Sequence, residues 1–122
     1  MNFKSWLESF VYHGSVQPIS VWDRSRHVSG YYPGFYAWPE RESAQKHGQY
    51  VYELNVDDGT FYTLSNADDL KVQARKAGFP VTSGSGHQDV EYLKSLGYKG
   101  IRRGKEYIIF SPEEWSSTPK LS

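Results

Sequence analysis

The chain of 122 residues predicts an α+β fold. Helix-type and strand-type segments are mixed without the regular βαβ alternation that builds a parallel sheet. Most segments stop at Gly or Pro, which keeps the elements short. Ten Tyr, six Phe and four Trp together equal the Leu, Ile and Val residues in number. Aromatics with polar tips suit a half-exposed cleft better than the interior of a helical bundle. A length of about 100–150 residues is the commonest size for one domain, so residues 1–122 read as a single unit with a real core.

The elements follow in order. Phe3, Trp6, Leu7 and Phe10 recur at i, i+3, i+4 and i+7, which predicts a short amphipathic helix over 3–10. Val11-Tyr12-His13 reads as a strand ended by Gly14-Ser15. Residues 16–33 carry Pro, Gly and scattered aromatics, the signature of an irregular loop. Pro39 opens a helix from Glu40 to His47, and Gly48 stops it. Tyr50–Val56 and Thr60–Leu64 are rich in β-formers and flank Asp57-Asp58-Gly59, so they predict a hairpin. Asn66 is placed to cap a helix running to about Lys76, closed by Gly78 and Pro80. Residues 82–86 form a flexible break. Asp89–Leu96 is a second helix, with Val90, Leu93 and Leu96 on one side and Gly97 as its stop. Gly100-Ile101, the strand Tyr107–Phe110, a turn at Ser111-Pro112 and a frayed polar tail complete the chain.

Composition removes several classes of function. Without cysteine there is no disulfide framework, no thiolate-held zinc or iron–sulfur cluster and no thiol nucleophile, which fits a reducing cytoplasm. Glu8 interrupts the place where a signal peptide needs its apolar stretch. No run approaches the ~20 apolar residues of a membrane span. Fourteen basic side chains against fourteen acidic ones argue against binding polyanions by bulk charge. The basic residues are nevertheless clustered: Lys94, Lys99, Arg102, Arg103 and Lys105 run together with no acid among them. Such a run is either a solvated basic turn or a contact for phosphate.

Phosphate-loop, dinucleotide-fingerprint and nucleophile-elbow motifs are missing from the sequence, and its four His are too scattered to suggest a metal site. Three local patterns remain. His13 ends a strand and is followed at once by Gly14, where a ligand could approach the backbone closely. Tyr36 lies beside Gly34 and ahead of a helix carrying Ser43-Ala44, where a ring could stack on a flat ligand. Glu106 heads an apolar strand, where a carboxylate can stabilise a developing cation. Taken singly, each also fits a structural role: a satisfied strand-end His, a packed Tyr, an edge-strand charge that blunts aggregation.

As an ordered set, His13-Gly14-Ser15, Gly34-Phe35-Tyr36 before Ser43-Ala44, and Glu106-Tyr107-Ile108-Ile109-Phe110 resemble the His-Tyr-Glu branch of the ADP-ribosyltransferase superfamily. Diphtheria toxin and the poly(ADP-ribose) polymerases belong to that branch. The resemblance implies a small fold of two packed β-sheets with short flanking helices and an NAD cleft between the sheets. It implies His13, Tyr36 and Glu106 as catalytic residues. His13 would bond the adenosine ribose, and Gly14 with Ser43 the nicotinamide carboxamide. Tyr36 would stack on the nicotinamide ring, Glu106 would bond the ribose 2′-hydroxyl, and Ser15 lies beside them in the NAD site. Neither a metal nor a thiol is needed.

The sequence departs from that pattern in two places. The second sandwiching Tyr of the polymerases is replaced by Lys46; either His47 stacks instead or the sandwich is one-sided. Two residues before Glu106, where arginine-modifying relatives carry Glu or Gln, stands Gly104. Arg102, Arg103 and Lys105 make the acceptor loop basic, which favours RNA or DNA slightly over protein; one of these arginines could equally grip the pyrophosphate of NAD. The expectation is a free-standing, cytoplasmic mono-ADP-ribosyltransferase, a microbial or phage effector with an antitoxin or inhibitor protein as a possible partner. The alternatives are an NAD glycohydrolase and a catalytically silent binding module.

Overall fold

A computed structural model describes residues 8–19, 31–80, 86–110 and 120–121. Two sheets form its frame. The first has the order β1-β3-β7, from β1 (Glu8–Ser15), β3 (Tyr50–Asp57) and β7 (Lys120–Leu121), antiparallel throughout. The second has the order β2-β6-β5-β4, from β2 (Phe35–Ala37), β6 (Glu106–Ile109), β5 (Gly100–Arg103) and β4 (Phe61–Thr63). In that sheet only β4 and β5 run parallel. Three helices accompany them: α1 (Arg41–Gln45), α2 (Ala67–Lys76) and α3 (His87–Ser95). This is a small α+β fold with two sheets, as the mixed periodicity predicts.

Alternation along the strands explains the layering. Inward residues of the first sheet (Val11, Tyr52, Leu54, Val56) pack against Phe35, Ala37, Phe61, Tyr107 and Ile109 of the second. The opposite face of the second sheet gives Ile101, Ile108 and Phe110 to a separate cluster with Leu70 of α2 and Val90 and Leu93 of α3. Strand β6 is therefore buried on both sides, which is why Tyr107-Ile108-Ile109-Phe110 is continuously apolar rather than alternating. A continuous edge joins the sheets where Tyr12 and Trp38 exchange both backbone hydrogen bonds, at 2.7 and 2.9 Å.

Local signals hold where they are capping signals. The Asn66 side chain accepts from the backbone N–H groups of Asp68 and Asp69, and α2 starts where that cap places it. Helices α1 and α3 lie inside or within two residues of their expected bounds.

Non-local pairing overrides the sequence expectation at three points. Ser9 and Phe10 are strand, not helix, because β1 pairs with β3 over eight residues from Ser15↔Tyr50 to Glu8↔Asp57. Phe10, expected on the buried face of a helix, is 60% exposed; residues 3–7 of that helix lie outside the described residues. The hairpin of 50–56 with 60–64 does not form. A 3₁₀ turn over Asp58–Thr60, in which the Asp57 carboxylate accepts from the Gly59 N–H, carries the chain from one sheet to the other. There Phe61 meets Tyr107 edge-to-face at 5.4 Å, and β4 pairs with β5. The expected frayed tail ends in β7, where Leu121 pairs with Tyr52. Most of the 16–33 loop and of the 82–86 break lies outside the described residues.

One polar group is buried in the helical layer. Asp89, in the first turn of α3, is fully buried, and among the described residues neither carboxylate oxygen has a hydrogen-bond partner. Burial raises its pKa above the ordinary carboxylate value, against the opposing charges of Lys71 and Arg75. The neighbouring Tyr32 hydroxyl, buried and likewise unpartnered, is pushed up to about 12 by burial and then by the Asp89 charge. An acid with a raised folded pKa costs nothing below its unfolded value and removes stability as pH rises through the folded one. Asp89→Asn should therefore raise the melting temperature at pH 7 by a few degrees, about 1 kcal/mol. The gain should vanish near pH 4, about the unfolded pKa of Asp. Thermal denaturation across a pH series checks this; a lower melting temperature at pH 7 would show that Lys71 and Arg75 stabilise the ionised form.

Candidate active site

His13, Tyr36 and Glu106 stand on three different strands, β1, β2 and β6: Tyr36 and Glu106 share the helix-side face of the second sheet, and His13 lies on the inter-sheet side with Phe35. On β1, His13 is in register with Tyr52 and shares the inward face with Val11. Its ring meets Phe35 edge-on at 5.9 Å. Its Nδ1–H donates to the Tyr36 carbonyl at 2.7 Å. A carbonyl only accepts, so this contact places the proton on Nδ1 and fixes the tautomer. The contact bypasses the Tyr36 ring and ties His13 to the backbone that carries it.

Tyr36 is half-buried, and its hydroxyl donates to the Tyr32 carbonyl at 2.9 Å. Burial is the main cause raising its pKa; the Glu106 charge adds to the rise, while the Tyr32 hydrogen bond and the Arg103 charge oppose it. The phenol is therefore a neutral donor at physiological pH and not a general base. Register places the carboxylate. Tyr36 pairs with Ile108, and Glu106 lies two residues earlier on the same strand, so both project from one face of the sheet. Glu106 itself pairs with Arg103 across the β5–β6 hairpin, and Arg103 Nη2 donates to Glu106 Oε1 at 2.6 Å.

The expected acceptor loop is a different object. Arg102 and Arg103 belong to β5, and Gly104-Lys105 is a two-residue hairpin turn. Gly104 has φ +59°, the positive φ that the first position of a type II′ turn requires. Each of the three cations faces a carboxylate: Arg102 lies 4.0 Å from Asp58, Arg103 bonds Glu106, and Lys105 lies 3.2 Å from Glu40. The Arg102 guanidinium also lies 5.3 Å over the Tyr107 ring, on the opposite face of the sheet from Arg103. The Gly104-Lys105 signature between two β-type segments could have revealed this hairpin, and with it the Arg103–Glu106 pair.

The remaining residues cluster around α1. At Gly14 the close approach is made by α1 and not by open space: a Cβ there would collide with the Ala44 carbonyl oxygen. That contact sets α1, with half-buried Ser43, against the end of β1. The Ser15 hydroxyl donates to the Gln17 carbonyl at 2.6 Å and ends the strand. His47, expected to stack on a flat ligand, is stacked on Trp38, with 4.3 Å between centroids and 6° between planes. One of its faces is thus covered by the protein itself. Among the described residues no group of three His, Asp or Glu could hold a metal ion. No helix among them is long and apolar enough to cross a membrane.

A small α+β frame of two sheets is the class that the geometry defines. No family model and no curated protein matches the chain. A crystal structure of an anti-CRISPR protein is similar over 86% of this chain and 91% of that one, with a TM-score of 0.52 and 17% identity. At that identity the likeness concerns the fold alone.

The Gly14 contact makes a direct test of how the site is assembled. Gly14→Ala should destabilise the protein by about 1–3 kcal/mol, because the methyl group meets a backbone carbonyl that cannot rotate away. Thermal denaturation measures it, and an unchanged melting temperature would mean that α1 moves freely away from β1.

Proposed function

We propose that this chain is a mono-ADP-ribosyltransferase that cleaves NAD and transfers ADP-ribose to a macromolecular acceptor. The observation that carries the reading is the placement of His13, Tyr36 and Glu106 on three strands, β1, β2 and β6, in the order and element types of the His-Tyr-Glu branch. The anchoring of His13 to the Tyr36 carbonyl at 2.7 Å and the common face of Tyr36 and Glu106 support it. On this reading His13 holds the adenosine ribose, and Gly14 and Ser43 hold the carboxamide. Tyr36 stacks on the nicotinamide, and Glu106 takes the ribose 2′-hydroxyl.

The bond between the ribose anomeric carbon and the pyridinium nitrogen breaks, and its electron pair leaves with neutral nicotinamide. Positive charge then develops on the ribose, opposite a preorganised carboxylate. A lone pair of the acceptor forms the new bond to the anomeric carbon, and the acceptor's proton passes to solvent. With water as acceptor the same steps are a glycohydrolase reaction.

Ion pairing bears on the choice of acceptor. A phosphate reaching Arg102 or Lys105 would compete with Asp58 or Glu40, but exposed pairs of this kind are weak and Lys105 is 80% exposed. RNA or DNA, slightly favoured by the basic run, and protein are therefore tested side by side. A fold shared with an anti-CRISPR protein is compatible with a microbial or phage effector and does not by itself argue for one. The Arg103–Glu106 ion pair favours a second reading, in which the carboxylate is structural and the chain binds a partner without chemistry.

The purified chain should release nicotinamide from NAD, and Glu106→Gln should slow release about 10²–10³-fold while NAD binding persists. Label from NAD followed into protein, RNA, DNA or free ADP-ribose in a bacterial lysate assigns the acceptor. No release by the wild type in buffer or lysate would leave the silent module as the answer.

A further inference from the structure

Two arginines stand side by side before Glu106, and the sequence offers no way to choose between them as a ligand for an anion. Strand alternation does. Along β5, Arg102 pairs with Tyr107 and Arg103 with Glu106, so the two side chains leave opposite faces of the sheet. Arg102 goes to the Tyr107 face, over that ring and beside Asp58. Arg103 goes to the face of Tyr36 and Glu106. A guanidinium carries five N–H donors in a planar fork. Among the described residues Arg103 makes one hydrogen bond, from Nη2 to Glu106 Oε1, and its side chain is 47% exposed. One nitrogen of the fork thus holds the carboxylate, while Nε and Nη1 remain on the same face as Tyr36.

We propose that Arg103 binds the pyrophosphate of the dinucleotide with the donors that Glu106 leaves over, while its Nη2 keeps the Glu106 carboxylate oriented. This rests on the reading of the site as NAD-cleaving and adds to it the residue that recognises the charged centre of the substrate. A phosphodiester with two non-bridging oxygens matches the guanidinium fork in charge and geometry, better than a point-charge Lys would. A pyrophosphate on the same guanidinium also offsets its positive charge, which would otherwise oppose the cation developing on the ribose. Oε2 of Glu106 is left for the ribose 2′-hydroxyl.

The test uses ADP-ribose, which carries the pyrophosphate without nicotinamide, together with NAD turnover. Arg103→Gln should weaken ADP-ribose binding and raise the KM for NAD by about 10–100-fold. Inhibition by free nicotinamide should be unchanged. Arg103→Lys should recover part of the loss, and Lys76→Gln, an equal charge change on exposed α2, should alter neither quantity. Circular dichroism establishes that each variant is folded. A fall in kcat with ADP-ribose affinity intact would overturn the proposal, leaving Arg103 to act through Glu106 alone. An Arg102→Gln effect as large as that of Arg103→Gln would overturn it too. Wild-type protein that neither binds ADP-ribose nor cleaves NAD would overturn the parent reading instead, a failure visible before any substitution is made.

Discussion

Double-sided burial of β6 is the constraint on which the rest of the structure depends. Tyr107 and Ile109 face the first sheet while Ile108 faces the helices, so four successive residues, 107–110, are all buried. Both layers of packing and the order β2-β6-β5-β4 meet on that strand. A carboxylate in the middle of it would be strongly unfavourable. Glu106 is tolerated because it is the first residue, where the sheet ends and Arg103 stands opposite. The position that makes the charge affordable is also the one that leaves it reachable.

Backbone contacts, more than side-chain contacts, assemble the candidate site. Tyr12 and Trp38 join the sheets through paired main-chain hydrogen bonds, and His13, the next residue on β1, bonds the main chain of β2. Side chains one or two positions from such a junction are set by the ladder itself, which varies less than a surface rotamer does. Helix α1 is fixed in the same manner, through a carbonyl seated on Gly14. Polar groups on different strands can in this way keep a common geometry without bonding one another.

What the sequence makes legible is local. The Asn66 cap, the limits of α1 and α3 and the apolar strand Tyr107–Phe110 follow from chemistry within a few residues, and the structure has all of them. The ordered set His13, Tyr36 and Glu106 is visible as a pattern, but that Tyr36 and Glu106 share one face needed the strand order. The errors were of one kind. A helix through Phe10 and a hairpin across Asp57–Gly59 satisfied local rules and lost to partners 45 and 39 residues away, as the pairs Phe10↔Asn55 and Tyr62↔Ile101 show by their numbers. Arg102, Arg103 and Lys105 looked like one basic patch because linear charge counting ignores alternation. Strand register sends neighbours to opposite faces, and each cation meets a different acid.

The crossing from one sheet to the other at Asp58–Thr60 bears on how the chain folds. Neither half of the sequence holds a complete sheet: β2 needs β6, and β4 needs β5, across long intervening stretches. Loop closure therefore comes before most of the contacts that reward it, which places folding in the millisecond-to-second range typical of sheet-rich topologies and not in the microsecond range of helical ones. Until β6 docks, β2 is a short strand without its sheet partner, whereas β4 has its own in β5. Tyr36 and Glu106 lie on the two strands of that one pairing, so a partly folded chain that lacks it has neither residue in place.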